Sequence, residues 1–549
     1  MHTPDISPAS RARGIAANHI LIWRIALITW CVVLTGCIGF SAFRNLVFVS
    51  SDGFDEPILV ITAARVARGE MPFRDFDAYY GPLGHYLDAA AILIQSGIPP
   101  TTACQRLFFL LSLAILGLLG WWIPRLIAKR GWLLLWAAVF LGLFGPMIGR
   151  FSFNSGIELL LILATLLLVP LESDVPILEG SAIAFAALDV VLFAIKINFG
   201  VYAIAATAFL LLLDAFIFRR RRAVRTLAIY CSALFAFGGI ATVAMWISGM
   251  LLPYTSIIWD AIRLNYARHV ALAFLAPATL VQCVGLLFLF LLLCALAAFD
   301  PILRRNRTLV YALALSAGFT QYAVFRFDRY HIFFLLFGLF TALLVTLRLY
   351  GMSLPRRRRL PWIAGVGLAI LCLAALPDTL VHRIARFDSQ LVPAAATAVP
   401  SQPRAWPVRD GVAISRGELH VISSLRSAMN PGDEVFWASK PGSCQSVTDA
   451  CVNHALYLAM GRLPTTRYWM FDVVTSQYPG FQEQMVRDIE ERKIRFIGLQ
   501  ENLLRQPLGT NPPESQVLYD FVRSHYGLIG TFNAPGRLER FEIYRLNTR

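Results

Sequence analysis

Charge is scarce in this chain. Only 15% of its 549 residues are Asp, Glu, Lys or Arg while 57% are hydrophobic, which excludes an ordinary soluble protein. Acids are scarcer than bases, 34 against 49. The resulting formal charge of +15 would suggest nucleic acid only if the basic residues shared a face. They stand instead in short clusters between apolar runs, the pattern of topology signals, and no nucleic-acid partner is expected. Cysteine is sparse, and seven of the nine fall in or near apolar runs, where they read as small apolar fillers. Cys444 and Cys451 are the exception. Their six intervening residues allow a small disulfide-closed loop in an oxidising compartment. No internal repeat is visible, and no ligand cluster with diagnostic spacing specifies a metal.

What is present is a series of apolar runs, each about 20 residues long. The first, 20–40, follows Arg11 and Arg13 and reads as an uncleaved anchor, with Gly39-Phe40-Ser41 offering a cleavage alternative. Further spans are expected near 105–124, 132–148, 157–171, 178–195, 199–217, 227–249, 277–299, 308–325, 331–349 and 360–377. The expected fold class is therefore a polytopic α-helical membrane protein of about 11 transmembrane helices, with 1–19 as a cytoplasmic N-terminus and 20–377 as the membrane domain. Arginine clusters at 125–130, 219–225, 304–307 and 356–359 mark four of five inner connections. The acidic link 172–179 is the exception.

With that orientation the loop 44–104 lies outside, and it collects the acids that the rest of the chain avoids: Asp52, Asp55, Glu56, Glu70, Asp75 and Asp77, with Asp88 beyond. Pro57 in a first turn, apolar residues through Val66 and Gly69 at the end predict a short helix started by Asp55 or Glu56. A carboxylate in front of such a helix is more often a cap than a catalyst. The stretch 85–95 is too short to span and fits a helix at the interface. Other outer connections carry Arg150, Asn154, Lys196, Asn198, Arg263, Arg268, Arg326, Asp328, Arg329 and His331. Ionisable groups at span ends face a cavity or a partner. Lys196 has no acid adjacent in sequence, and it also fits a lysine that snorkels to the outer interface.

The order Asp55-Glu56, a helix ending at Gly69, Pro72-Phe73-Arg74-Asp75 and Tyr80-Gly81-Pro82-Leu83 resembles the first outer loop of GT-C type glycosyltransferases that use polyprenyl-phosphate sugars. That group includes protein O-mannosyltransferases, lipid A aminoarabinose transferases and proteins similar to rhizobial core-oligosaccharide transferases. Arg106 at the second span, Lys196 followed by Gly200, and the run from Arg326 to His331 extend the resemblance. The family often has two prolines where this chain has Gly81-Pro82.

The resemblance implies an enzyme of the bacterial inner membrane. It would transfer a sugar from a polyprenyl-phosphate donor to a lipid, glycan or protein acceptor on the outer face. Asp55 would be the general base, Glu56 would orient it or hold a divalent ion, and Asp52 is a second catalytic candidate. Lys196, Arg326, Arg329 and His331 would bind the phosphate, with Arg74 and Tyr80 completing the substrate-binding set. The resemblance makes no cofactor certain, the divalent ion included. A surface-glycan ligase or polymerase, and a non-catalytic membrane protein of the same fold, are the alternatives.

After Asp378 the composition turns ordinary. A linker region over 378–430 precedes an expected extracytoplasmic α/β domain, 431–549. Its strands are expected at 434–438, 495–499, 526–532 and 540–546, with helices at 454–461, 481–493 and 514–525. Its Pro464-Thr465-Thr466-Arg467-Tyr468 run resembles the outer domain of many GT-C relatives.

Overall fold

The computed structural model describes residues 49–50, 55–78, 80–127, 133–148, 153–172, 175–218, 222–259, 277–325, 329–352, 360–375, 408–409, 412–413, 416–440, 454–470, 480–502, 516–534 and 539–547, with scattered positions in 25–36 and Val452. The first expected span falls mostly outside these residues. Cys444 and Cys451 do so entirely.

A two-residue strand β1 (Val49–Ser50) precedes helix α1 (Asp55–Ala67) and helix α2 (Pro82–Ile94). The bundle helices follow as α3 (Pro100–Leu126), α4 (Leu133–Ile148), α5 (Phe153–Leu168), α6 (Glu179–Ile195) and α7 (Ile197–Leu212). Then come α8 (Ala223–Ile247), α9 (Pro277–Phe299), α10 (Arg307–Phe325), α11 (Arg329–Met352) and α12 (Leu360–Ala375). Among the described residues, five helices are long and apolar enough to cross a membrane: Pro100–Leu126, Ile197–Ile217, Ala223–Ile247, Gln282–Phe299 and Ile332–Gly351. The chain is a helical membrane protein.

Aromatic side chains knit the bundle. Phe144 meets Phe333 at 5.4 Å and Phe340 at 5.5 Å, both edge to face, the arrangement that ring quadrupoles favour. Phe199 does the same with Tyr322 and Phe334.

The two ends of the bundle differ in charge. At one end Arg307 pairs with Asp214 at 2.6 Å, in the π-turn Leu213–Ile217 that closes α7, and donates to the Val175 carbonyl. Asn306 donates to Leu171 O at 2.8 Å, Arg225 reaches Glu179 at 3.0 Å, and Arg348 donates to Arg125 O. The acidic link 172–179 therefore sits among arginines supplied by other connections.

At the opposite end lie the α6–α7 junction, the starts of α5 and α11, the ends of α8 and α10, and both short helices. Helix α1 has no solvent face: Pro57 to Val66 are all buried, which suits a helix apolar on nearly every side. Burying each of Ile58, Val60 and Ile61 contributes about 1.5–3 kcal/mol. Gly69, with φ +92°, takes the left-handed turn after the helix end without the strain a side chain would add.

The C-terminal part forms strands β2 (Val408–Arg409), β3 (Val412–Ala413), β4 (Val435–Ser439), β5 (Phe496–Asn502), β6 (Tyr526–Ala534) and β7 (Glu539–Leu546). They alternate with α13 (Arg416–Ala428), α14 (Ala455–Met460), α15 (Phe481–Glu491) and α16 (Gln516–His525). The main sheet has the order β4-β5-β7-β6, its first pair parallel and the others antiparallel. Helix α13 lies within the stretch 378–430 expected as a linker region, and its Val421, Ile422 and Leu425 enter the hydrophobic core. That core is continuous with α1. Strand β1 also runs parallel to β3, pairing Val49 with Val412.

Candidate functional site

The centre of the site is a helix break. Helix α6 ends at Ile195, α7 begins at Ile197, and Lys196 between them is extended at φ −154°, ψ 110°. Its N–H still donates to Leu192 O at 2.8 Å, and its carbonyl accepts from Gly200 N at 3.1 Å. Gly200 is required by the tight bend: a Cβ there would lie 2.3 Å from Phe193 Cα.

The break turns the ammonium of Lys196 inward. Nζ lies 3.4 Å from Glu158 Oε1, near the start of α5, and 4.7, 5.1 and 5.7 Å from the ring centres of Phe199, Tyr322 and Tyr80. Each ring presents its negative face to the cation. The Lys196 side chain is 17% exposed and that of Glu158 0%. With no acid adjacent in sequence, Lys196 takes its partner from a helix 38 residues away. Glu158 was visible as a lone acid in the apolar run 156–168.

Tyr80 reaches this cage because Gly81 hangs on the same break. Gly81 N donates to Ile195 O at 2.8 Å, and a Cβ on residue 81 would sit 2.2 Å from Ala194 O. Gly81→Ala is accordingly expected to cost about 1–3 kcal/mol through overpacking, read as a lower thermal-unfolding midpoint in detergent. Gly180→Ala, into open space, is expected to stay within about 0.5 kcal/mol of the parent. Equal midpoints for the two variants would refute the Gly81 contact.

A second polar group lies behind the loop. Thr62 Oγ1 donates to Leu59 O and meets His85 Nδ1, both at 2.9 Å. The Thr62 hydroxyl and His85 Nδ1 share one hydrogen bond, and Nε2 is buried without a partner among the described residues. Burial holds the His85 imidazole neutral, its pKa pushed down to about 4. One turn along, Asp88 is fully buried without a hydrogen-bond partner among the described residues, and burial raises its pKa well above the carboxylate range. Gln105 Oε1 is likewise unpartnered and buried. Sequence reasoning passed over His85 and Gln105, which carry no motif.

The remaining sequence candidates separate. Asp52 and Arg326 lie outside the described residues. Asp55 and Glu56 open α1, and Arg329 and His331 lie in the first turn of α11; their side chains lie outside the described residues. Arg74 is exposed and bound to Asp75 at 2.7 Å, with a long contact to Ser248 O at 3.4 Å. Among the described residues no group of three or more His, Cys, Asp or Glu could hold a metal. Two clefts of about 340 and 230 Å³ lie at the arginine-bearing end, the larger beside Asp214, Arg222 and Arg307, away from Lys196. No protein-family model matches the chain and no curated protein is significantly similar to it, so a functional reading rests on the geometry of its own residues.

Proposed function

We propose that the chain is a membrane glycosyltransferase that moves a sugar from a polyprenyl-phosphate donor to a hydroxyl of a lipid, glycan or protein acceptor, at the outer face of a bacterial inner membrane. The observation that carries this reading is the cage at Lys196. A cation is held at a helix break by Glu158 and three aromatic rings, with Tyr80 brought to it by the backbone of the acidic loop. In the proposed reaction the acceptor oxygen attacks the anomeric carbon, the bond from that carbon to the phosphate oxygen breaks, and the polyprenyl phosphate departs. Negative charge grows on that phosphate, where a fixed ammonium is most effective. The acceptor hydroxyl proton passes to a carboxylate, the role assigned to Asp55. Were a divalent ion bound, Glu56 is the residue that would hold it, and the ion would supply positive charge to the departing phosphate.

The reading includes about 11 spans and an extracytoplasmic C-terminal domain. Support for the sidedness comes from the grouping of Arg125, Arg225, Arg307 and Arg348 at one end and of the loop and Lys196 at the other. A reporter active only outside the cytoplasm is expected to give signal when fused after Asn430 and none after Arg222. Signal after Arg222 would invert the membrane orientation and end the proposal.

A second reading is favoured by one fact: the Glu158 pair already neutralises Lys196. On that reading the cage is a strut in a non-catalytic membrane protein of the same architecture. The purified chain with a labelled polyprenyl-phosphate sugar distinguishes the two, since only an enzyme releases polyprenyl phosphate in proportion to acceptor added.

A further inference from the structure

Helix α1 is 13 residues long, and an isolated helix of that length is marginal in water. Its position therefore comes from its surroundings: α2 packs along it most extensively, and α3 and the C-terminal part of the chain close the rest. Arg65, fully buried, is the joint. Its Nε and Nη2 donate to Glu70 Oε2 at 2.8 and 2.5 Å, while Nη1 donates across 401 residues to Thr466 O at 2.9 Å. The guanidinium also lies 4.5 Å from the Phe76 ring centre. One side chain thus ties α1, the turn that follows it and the 464–470 segment.

The turn is bound independently to the same segment. Asp77 N donates to Arg467 O at 2.9 Å, Trp469 Nε1 donates to Asp77 O at 3.2 Å, and Arg467 Nη2 donates to Phe73 O at 3.3 Å. On the other flank, β1 leads into α1 and pairs with β3. The chain entering the helix and the chain leaving it are both fastened to residues beyond 400.

From this geometry we infer that the C-terminal domain is the positioning element for α1, and so for the Asp55–Glu56 pair at its start, with Arg65 and Trp469 as the residues through which it acts. The kinetic part of this inference rests on the glycosyltransferase reading; the docking part does not. Lys196, Glu158, Phe199 and Tyr322 belong to the bundle rather than to α1, and Tyr80 is fastened to the bundle through Gly81 N and Ile195 O, so a shift of α1 moves the carboxylates relative to the cage. Loss of position then appears in turnover and not in donor binding.

The test uses the full chain in lipid nanodiscs. Arg65→Lys keeps the charge and loses the fork geometry; Trp469→Phe keeps a ring and loses the N–H donor. Tyr526→Phe is the control, because its hydroxyl donates to Ile494 O and its ring meets Phe521, both within the domain. Hydrogen exchange over 57–78 is expected to quicken by about fivefold or more in the first two variants and to stay at the parental rate in the third. Turnover is expected to fall by about 10-fold to 100-fold in the first two, with donor KM within about twofold. Unchanged exchange in both variants overturns the docking role. Quickened exchange with parental turnover overturns the positioning role. Quickened exchange in a chain whose parent shows no transfer upholds the docking and removes the glycosyltransferase reading alone.

Discussion

Asp55→Asn is expected to lower sugar transfer by about 100-fold to 10,000-fold, the usual contribution of a general base, while membrane levels stay at those of the parent. The separation is possible because Asn keeps the size of Asp55 in the first turn of α1, and losing a charge at a helix start costs only about 0.3–1 kcal/mol. Folding is preserved and proton acceptance is lost. Asp52→Asn, made in parallel, fixes the register: full loss there with normal transfer in Asp55→Asn moves the base to Asp52. Normal transfer in both variants would make the loop carboxylates structural and end the proposed mechanism. The assay follows release of polyprenyl phosphate at saturating acceptor.

The second large effect concerns Lys196 and Glu158. Lys196→Met leaves a fully buried carboxylate without its main cation, a change that costs about 3–5 kcal/mol in buried pairs. Glu158→Gln strands the ammonium instead, more mildly because the three aromatic faces remain around it. Making both changes removes the two charges together, and most of the stability is expected to return. Transfer is not. A neutral pair holds the helix break closed, but it offers nothing to a leaving phosphate. Thermal unfolding in detergent reads the first quantity, and release of polyprenyl phosphate the second. If the double variant recovers both, Lys196 is a strut and its assigned role in transfer is withdrawn.

Much of the fold was legible in the sequence, because membrane spans and strands are written in local runs. The expected strands at 495–499 and 540–546 correspond to Phe496–Asn502 and Glu539–Leu546, and Pro57 and Gly69 bracket α1 as expected. The partners were not legible. Glu158 and Lys196, Asp214 and Arg307, Arg65 and Thr466 are joined across 38, 93 and 401 residues, and no periodicity encodes a pairing of that span. Helix α13 escaped notice for a different reason. Its apolar residues Val421, Ile422 and Leu425 follow a stretch rich in Pro and Ala, whose composition dominated the reading of the whole linker region. The candidate site was half legible. Tyr80, Gly81 and Lys196 carried motifs, whereas Glu158, His85 and Gln105 derive their meaning only from being buried.

The tie between α1 and the 464–470 segment also sets a schedule for biogenesis. Ribosomes add about 5–20 residues per second, so the 401 residues between Arg65 and Thr466 correspond to roughly 20–80 s of synthesis. Throughout that interval α1 already rests on α2 and α3, while Arg65 lacks its Thr466 acceptor. A ribosome stalled before codon 464 leaves behind a chain with its bundle complete and a guanidinium, buried in the finished molecule, that has not received that carbonyl. An unfinished molecule thus differs from a finished one by one cation still open to water.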